Sequence, residues 1–193
     1  MRSIRVALGM VLLAGLSSAC TVQNTNEPMC PVKGLDRNLT PLVLLAQSVP
    51  SAAYAPCIVD FPSGWTFAGE HLKNGSSEFW LDSDRAGFGA VTVELSATCD
   101  TSKAVEVPQE PDEPLMKRFE EPTALAPSFR GNRFYVFPGG CVTYRFAFGS
   151  GATFAQAVEV TEALSFISRA EGVKDLLTEG LILCGRSAPP CPG

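Results

Sequence analysis

Alternation of apolar and polar residues predicts β-strands through the middle of the chain. Residues 65–73 and 78–82 flank Asn74 and Gly75, a pair typical of a two-residue hairpin turn. Residues 90–98 alternate between Val, Val, Leu and Ala on one side and Thr, Glu and Ser on the other. This pattern indicates an antiparallel strand with one buried face and one wet face.

A second hairpin is predicted further along the chain. Residues 132–137 and 141–148 are rich in aromatic and β-branched residues, and Pro-Gly-Gly at 138–140 makes the turn between them. The segment 105–127 differs, because it carries five prolines and several acids. It is interpreted as a long exposed loop with one short strand near 117–120.

Three helices are expected around these strands. Thr40 as N-cap and Pro41 in the first helical position favour a short helix that ends before Pro50. Apolar residues at helical spacing predict a helix over 153–168, and a shorter one is predicted over 171–178.

Together these elements predict an α+β fold, with an antiparallel sheet of about six strands and helices on one face only. The opposite face of the sheet is then wet. The predicted organisation is a signal peptide at 1–19, a lipidated cysteine and flexible tether at 20–39, and a single extracytoplasmic domain at 40–193, stapled by disulfides.

The first twenty residues are typical of a bacterial export signal. Arg2 and Arg5 precede an apolar run that ends in Ser-Ser-Ala-Cys at 17–20, and the run is shorter than the roughly 20 residues that span a bilayer. Leu16 to Cys20 resembles a lipobox, in which the cysteine takes a diacylglycerol and becomes the first residue. The leucine lies four residues before Cys20 rather than three, and ordinary cleavage of a small-x-small site is the alternative.

The cysteine count favours lipidation. Seven cysteines are present, and an odd number in an exported protein leaves one thiol to explain. If Cys20 carries a lipid, six remain for three disulfides, which an oxidising compartment permits. The chain contains no C-x-x-C pair, which removes the usual support for a zinc site or a thioredoxin-like site.

Charge narrows the possible partners. Without Arg2 and Arg5 the chain has 13 basic and 20 acidic side chains, a net charge of −7. An acidic protein lacks the basic surface that nucleic-acid binding requires. The expected partners are therefore the membrane, through the lipid anchor, and an envelope protein or anionic envelope polymer.

Catalytic and metal-binding motifs are weak. His71 is the single histidine, it lies in a predicted strand, and no G-x-S-x-G elbow accompanies it. The run from Asp82 to Gly87 has the outline of half a calcium loop, but alanine and valine occupy two ligand positions. Turn formation by the aspartates explains that run better. No metal or cofactor is expected.

Paired carboxylates offer one route to an enzyme. A glycosidase needs two acids that flank a cleft, and four acids on predicted strands or their turns qualify by residue type: Glu78, Asp82, Asp84 and Glu94. The favoured function is a non-enzymatic binding or scaffold domain at the cell envelope. The alternative is an envelope hydrolase that acts on wall sugar or lipid.

The last hairpin suggests a binding patch. If its outward residues align across the two strands, Arg133, Tyr135 and Arg145 form a basic and aromatic surface that could hold a phosphate or carboxylate. The alternative is a solvated sheet face with cross-strand pairs to Glu94 or Glu120.

Several phrases of the sequence resemble an uncharacterised family of actinobacterial exported proteins, found as lipoproteins or membrane-tethered ectodomains. The resemblance covers about 42–166 and implies a shared fold and an extracytoplasmic location, with no activity attached. It rests on YAPCI at 54–58, PSGW at 62–65, FWLDSDR at 79–85, CD at 99–100, EVP at 106–108 and FYVFPGGCVTYRF at 134–146.

Strand directions predict the disulfides. In an up-and-down meander, the strand that ends at Cys99 finishes beside the turn before Cys141, whereas Cys57 and the chain after Phe148 lie at the other end. The two cysteines that remain, one in the tether and one in the C-terminal tail, are then paired by elimination. The predicted pairs are Cys99 with Cys141, Cys57 with Cys184, and Cys30 with Cys191, and a short loop between Cys184 and Cys191 is the alternative.

Overall fold

The computed structural model describes residues 26–35, 37–108, 116–125, 127–178 and 180–186. Cys20 and Cys191, with the predicted signal peptide, lie outside these ranges. The described chain forms the predicted α+β fold, with the following elements in order: α1 (Thr40–Gln47), β1 (Tyr54–Ile58), β2 (Trp65–Lys73), β3 (Ser76–Ser83), β4 (Gly87–Ser96), β5 (Val105–Val107), β6 (Lys117–Ala124), β7 (Arg130–Phe137), β8 (Gly140–Ala147), α2 (Phe154–Glu162), β9 (Leu164–Ser168) and α3 (Arg169–Thr178).

An antiparallel sheet of seven described strands forms the body of the fold, in the order β2-β3-β4-β8-β7-β6-β5. The turn at Asn74 and Gly75 forms as predicted, since Lys73 pairs with Ser76. The turn between β7 and β8 is the pair Pro138 and Gly139, because Phe137 pairs with Gly140. The chain crosses over once within this sheet, from β4 to the far edge, and returns to place β8 beside β4.

One face of this sheet carries the core. Its strands contribute alternate apolar side chains, which the helices and the small β1–β9 sheet cover, as predicted for the helices. The opposite face is polar along β3 and β4 and carries Glu78, Thr92 and Glu94. Alternation along β4 is as clean as its sequence indicates, since Val91, Val93 and Leu95 are fully buried.

The sequence did not predict the second sheet, which consists of β1 and β9. β1 pairs with β9 in antiparallel register from Tyr54 opposite Ser168 to Ile58 opposite Leu164. The predicted helix over 153–168 is therefore only half right, because α2 stops at Glu162. It begins as predicted, with Thr153 as N-cap in a capping box with Gln156. Leu164 and the residues after it leave the helix because β1 offers a strand partner.

Two further predictions need correction. α1 begins at Thr40 with Leu39 as N-cap, so Thr40 is the first helical residue and not the predicted N-cap. The Asn38 side chain accepts the Thr40 N–H. The acidic segment is less irregular than predicted, since it contributes β5 and the eight-residue β6. Residues 109–115 lie outside the described ranges.

Arg169 ties the helices to the start of β1 from inside the molecule. It is almost fully buried, and its guanidinium donates to the carbonyl oxygens of Ala46, Val49, Ala52 and Cys184 at 2.6–3.0 Å. Burial lowers the pKa of Arg169 to about 10, so the side chain is charged at neutral pH. The carbonyls of Ala46 and Val49 lie at the C-terminal end of α1, where a cation also meets the negative end of the helix dipole.

The disulfides match the prediction in one pair of three. Cys99 bonds to Cys141 with a Cα–Cα distance of 5.9 Å, as the strand directions require. Cys30 bonds to Cys57, with a Cα–Cα distance of 4.9 Å, so the predicted Cys57–Cys184 and Cys30–Cys191 pairs are wrong. The reason is that the sequence did not predict β1 as a strand. Met29 forms a bridge to Ile58 at the end of β1, and this bridge brings Cys30 alongside β1. Cys184 is also disulfide-bonded.

Candidate functional site

The predicted basic and aromatic patch does not form. Arg145 is exposed on the polar face of the sheet, whereas Arg133 and Tyr135 are buried, with 7% and 3% of their surface exposed. The two-residue turn is the cause, because it sets Arg133 opposite Tyr144 and Asn132 opposite Arg145. Odd-numbered residues of β7 thus share a face with even-numbered residues of β8.

Arg133 belongs to a structural pair instead. Its Nε donates to Oε1 of Glu120 at 2.6 Å across β6 and β7. Burial lowers the pKa of the Arg133 guanidinium, but the charges and hydrogen bonds of Tyr135 and Glu120 outweigh it and hold the pKa above its ordinary value. A buried and neutralised guanidinium cannot receive an external anion.

Arg145 is committed to two glutamates on the polar face. Nη1 donates to Glu94 at 2.6 Å and Nη2 to Glu78 at 3.0 Å. Glu78 and Glu94 lie directly opposite each other on β3 and β4, and Ser76 donates to the second oxygen of Glu94. This cluster matches the alternative interpretation of cross-strand pairs. It joins three strands, and it leaves neither a free cation for an anion nor a free carboxylate for catalysis.

The remaining catalytic candidates are dispersed. His71 is exposed on β2, an edge strand, opposite Glu78. Asp82 accepts the Gly89 N–H at 2.6 Å, and Ser83 Oγ accepts the N–H groups of Arg85 and Ala86. The run at 82–87 is therefore a turn, as its residue types indicate. Within the described ranges, no group of three or more His, Cys, Asp or Glu residues could hold a metal ion.

A groove of about 450 Å³ lies beside the small sheet. The Cys30–Cys57 disulfide, Val59 and Ile167 line the groove, and its polar lining residues are Ser165, Glu171 and Lys174. The sequence gives no sign of it, because the groove depends on the β1–β9 pairing. Its mixed apolar and polar lining suits a short apolar or peptide group.

The start of β4, directly after the β3–β4 turn, carries a feature that the sequence analysis did not predict. Phe88 stands between Gly87 and Gly89, both at positive φ, and 94% of its surface is exposed. Gly-Phe-Gly between two strands is the sequence signal that could have drawn attention to it. Arg85 at the same turn pairs with Glu159 of α2 at 2.6 Å.

Comparisons with known proteins give no function. No protein-family model matches the chain, and no curated protein matches it. One solved structure, from Bacteroides thetaiotaomicron, is similar over 60% of this chain with 14% sequence identity and a TM-score of 0.33. The match spans 46% of that protein's length. Within the described part of the chain, no helix is both long and apolar enough to cross a membrane.

Proposed function

We propose that this chain is a lipid-anchored extracytoplasmic domain that binds a protein partner at the bacterial cell envelope and has no catalytic activity. The observation that carries the proposal is the use of cysteine. All five cysteines in the described ranges are in disulfides, and the remaining two include Cys20 in its lipobox-like context. Disulfides of this density are typical of exported proteins.

The described surface supports binding over hydrolysis. Glu78 and Glu94, the acids that could have served as a glycosidase pair, bond to the same Arg145 guanidinium. Glycoside cleavage needs one of two such groups protonated and the other ionised, on either side of a substrate. An open sheet face, a groove beside β9 and exposed apolar side chains are features of a binding module.

Burial of both Arg133 and Tyr135 shifts the choice of partner. An anionic envelope polymer would require a basic surface, and the arginine pair expected for it is split between the two faces of the sheet. An envelope protein therefore fits the remaining surface better, and the groove between Val59 and Lys174 is the candidate contact.

Metabolic labelling with an alkyne palmitate tests the anchor in the producing cells. The wild-type chain should carry the label and stay with membranes, and Cys20→Ser should lose both properties. The matched control is Cys99→Ala with Cys141→Ala, which removes two sulfurs elsewhere and should keep the label. Label retained on Cys20→Ser would refute the anchor.

Site-specific photo-crosslinking tests the partner. A photoreactive residue at Lys174 on α3 should give one discrete crosslinked protein band from intact cells, and the same residue at Phe119 on β6 of the seven-stranded sheet should not. A diffuse polymer adduct or equal crosslinking from both positions would contradict the proposal. Wall-sugar or lipid turnover that is lost in Glu94→Gln would establish the hydrolase instead.

A further inference from the structure

Phe88 is presented to solvent by a rigid turn. The Gly89 N–H is fixed by Asp82, and Ala86 is fully buried and accepts a 2.7 Å hydrogen bond from the Gly149 N–H. Asp84 N–H donates to the Gly64 carbonyl on the other side of the turn. Because the backbone is held on both sides, the exposure of Phe88 is a property of the fold rather than of a loose loop.

Antiparallel pairing brings two more exposed apolar side chains to the end of the sheet that carries Phe88. β6 ends and β7 begins here, since Ala124 pairs with Arg130, and Leu125 follows with 68% of its surface exposed. Phe154 begins α2 beside Phe129, with ring centroids 5.3 Å apart, and is 48% exposed. The Phe129 N–H donates to Ala152, which joins this helix start to the same end.

The three side chains project from separate elements, namely the start of β4, the residue after β6 and the start of α2. Separate projections suit a fluid bilayer interface, which closes around each one, whereas a protein partner needs one continuous complementary surface. Arg130 is exposed at the same end, and none of the described acids forms an ion pair with it. An unpaired cation complements anionic headgroups.

The predicted tether keeps this end within reach of a membrane. Pro28 is fixed to the fold because its carbonyl accepts the Ile58 N–H. Cys20 and Pro28 are only eight positions apart in the chain, a distance that can span at most about 28 Å. Ile58 is at the end of β1 that lies away from the Pro138 turn. The other end of β1 lies beside this turn, because the Ala53 N–H donates to the Pro138 carbonyl.

We propose that Phe88, Leu125 and Phe154 form a lipid-contacting end that inserts into the bilayer interface, with Arg130 at the headgroups. The inference rests on the proposed function, because it uses the lipid anchor at Cys20 to bring the domain to the membrane. It adds an orientation, in which the β3–β4 turn faces the bilayer and the Pro138 turn faces away from it.

Vesicle binding by the mature chain with Cys20→Ser tests the contact separately from the anchor. With phosphatidylglycerol and phosphatidylcholine vesicles, Phe88→Ser should lower the lipid partition coefficient about tenfold, since one buried phenylalanine is at stake. Leu44→Ser, at an exposed position of α1 near the other end, should leave it unchanged. Arg130→Glu should weaken binding to the anionic vesicles and leave binding to pure phosphatidylcholine unaltered.

Fluorescence provides the second arm. Phe88→Trp, with the chain held on vesicles by an N-terminal His tag and a chelating lipid, should be quenched by brominated acyl chains and protected from aqueous acrylamide. Leu44→Trp should show the reverse. Equal acrylamide quenching at both positions, or self-association that depends on Phe88 in place of lipid binding, would overturn the proposal. Lipid contact without palmitate label would overturn only the anchor.

Discussion

Arg133 and Glu120 form an ion pair of 2.6 Å that lies across two strands with the guanidinium inside the protein. Removing the acid leaves the buried Arg133 charge with Tyr135 as its remaining partner, and losses from buried ion pairs are larger than those from exposed pairs. Glu120→Ala should lower the free energy of unfolding by about 2–4 kcal/mol. Arg145→Met, which breaks an exposed pair of bridges, should lower it by less than about 1 kcal/mol. Chemical denaturation of both variants measures the contrast, and equal losses would contradict it.

Arg169 should be the most sensitive of the described arginines. Arg169→Met leaves four carbonyl oxygens without the donors that satisfy them, so unfolding free energy should fall by at least about 3 kcal/mol. Arg169→Lys should recover little of this, because an ammonium cannot reproduce the planar fork. Arg130→Met, at an exposed position, should change stability by less than about 0.5 kcal/mol. Full rescue by lysine would refute the role of the fork.

Glu70 should make the folding stability decrease as pH rises. Burial raises the pKa of Glu70 above its ordinary 4.5, and no described hydrogen-bond donor reaches its buried Oε2. Above pH 4.5 the folded state therefore binds this proton more tightly than the unfolded chain, and stability falls as pH rises through that window.

Glu70→Gln should accordingly raise the melting temperature at pH 7, with the gain shrinking towards zero as pH falls below 4.5. Glu162→Gln, which removes an exposed carboxylate of α2, is the control for the loss of one negative charge. Calorimetry across pH 3 to pH 8, a range of about five units around the ordinary carboxyl pKa, measures both. A gain from Glu70→Gln that persists at the acidic limit would refute the charge-burial explanation.

Gly139 should resist substitution for two reasons that can be separated. Its φ is +75°, and a Cβ there would collide with the Ser51 carbonyl. Gly151 has a similar φ of +88° with open space around it. Gly151→Ala should therefore report the backbone cost alone, about 1 kcal/mol, and Gly139→Ala should lose at least about 1 kcal/mol more. Equal losses in a urea titration would show that the Ser51 contact yields freely.

A peptide map should distinguish the two described disulfides from the other possible cysteine pairings. Non-reducing digestion should yield Cys30 linked to Cys57 and Cys99 linked to Cys141, and no peptide linking Cys57 to Cys184. Replacing Cys99 and Cys141 by alanine removes a 42-residue closure, which should lower unfolding free energy by about 4 kcal/mol. A Cys57–Cys184 peptide would contradict the pairing.

Local patterns predicted the strands that form hairpins with their neighbours. The Asn74-Gly75 turn and the alternation from Val91 to Leu95 carry their own evidence, because turn chemistry and side-chain period are local properties. β1 and β9 carry no such evidence. Leu164 and Ile167 are three residues apart and fit a helical period as well as a strand, and only the distant partner Tyr54–Ile58 decides between them.

The predicted patch failed for a different reason. Alternation within each strand was correct for Arg133 and Arg145, but sharing a face also depends on the register between strands. A three-residue loop at 138–140 would align odd with odd, whereas the observed loop of Pro138 and Gly139 aligns odd with even. A change of one residue in a turn thus decides whether two arginines meet.

The sheet consists of two locally folding halves joined along a seam. β2, β3 and β4 form one meander and β5 to β8 another, and the pairing of β4 with β8 unites them. Each half needs only nearby contacts, whereas the seam must close a longer stretch of chain, so we expect seam closure to limit the folding rate. Cys99 and Cys141 lie at one end of the seam, where Ser96 is opposite Cys141. Oxidation of this pair therefore fixes the seam in its native register, which makes thiol oxidation a checkpoint on folding.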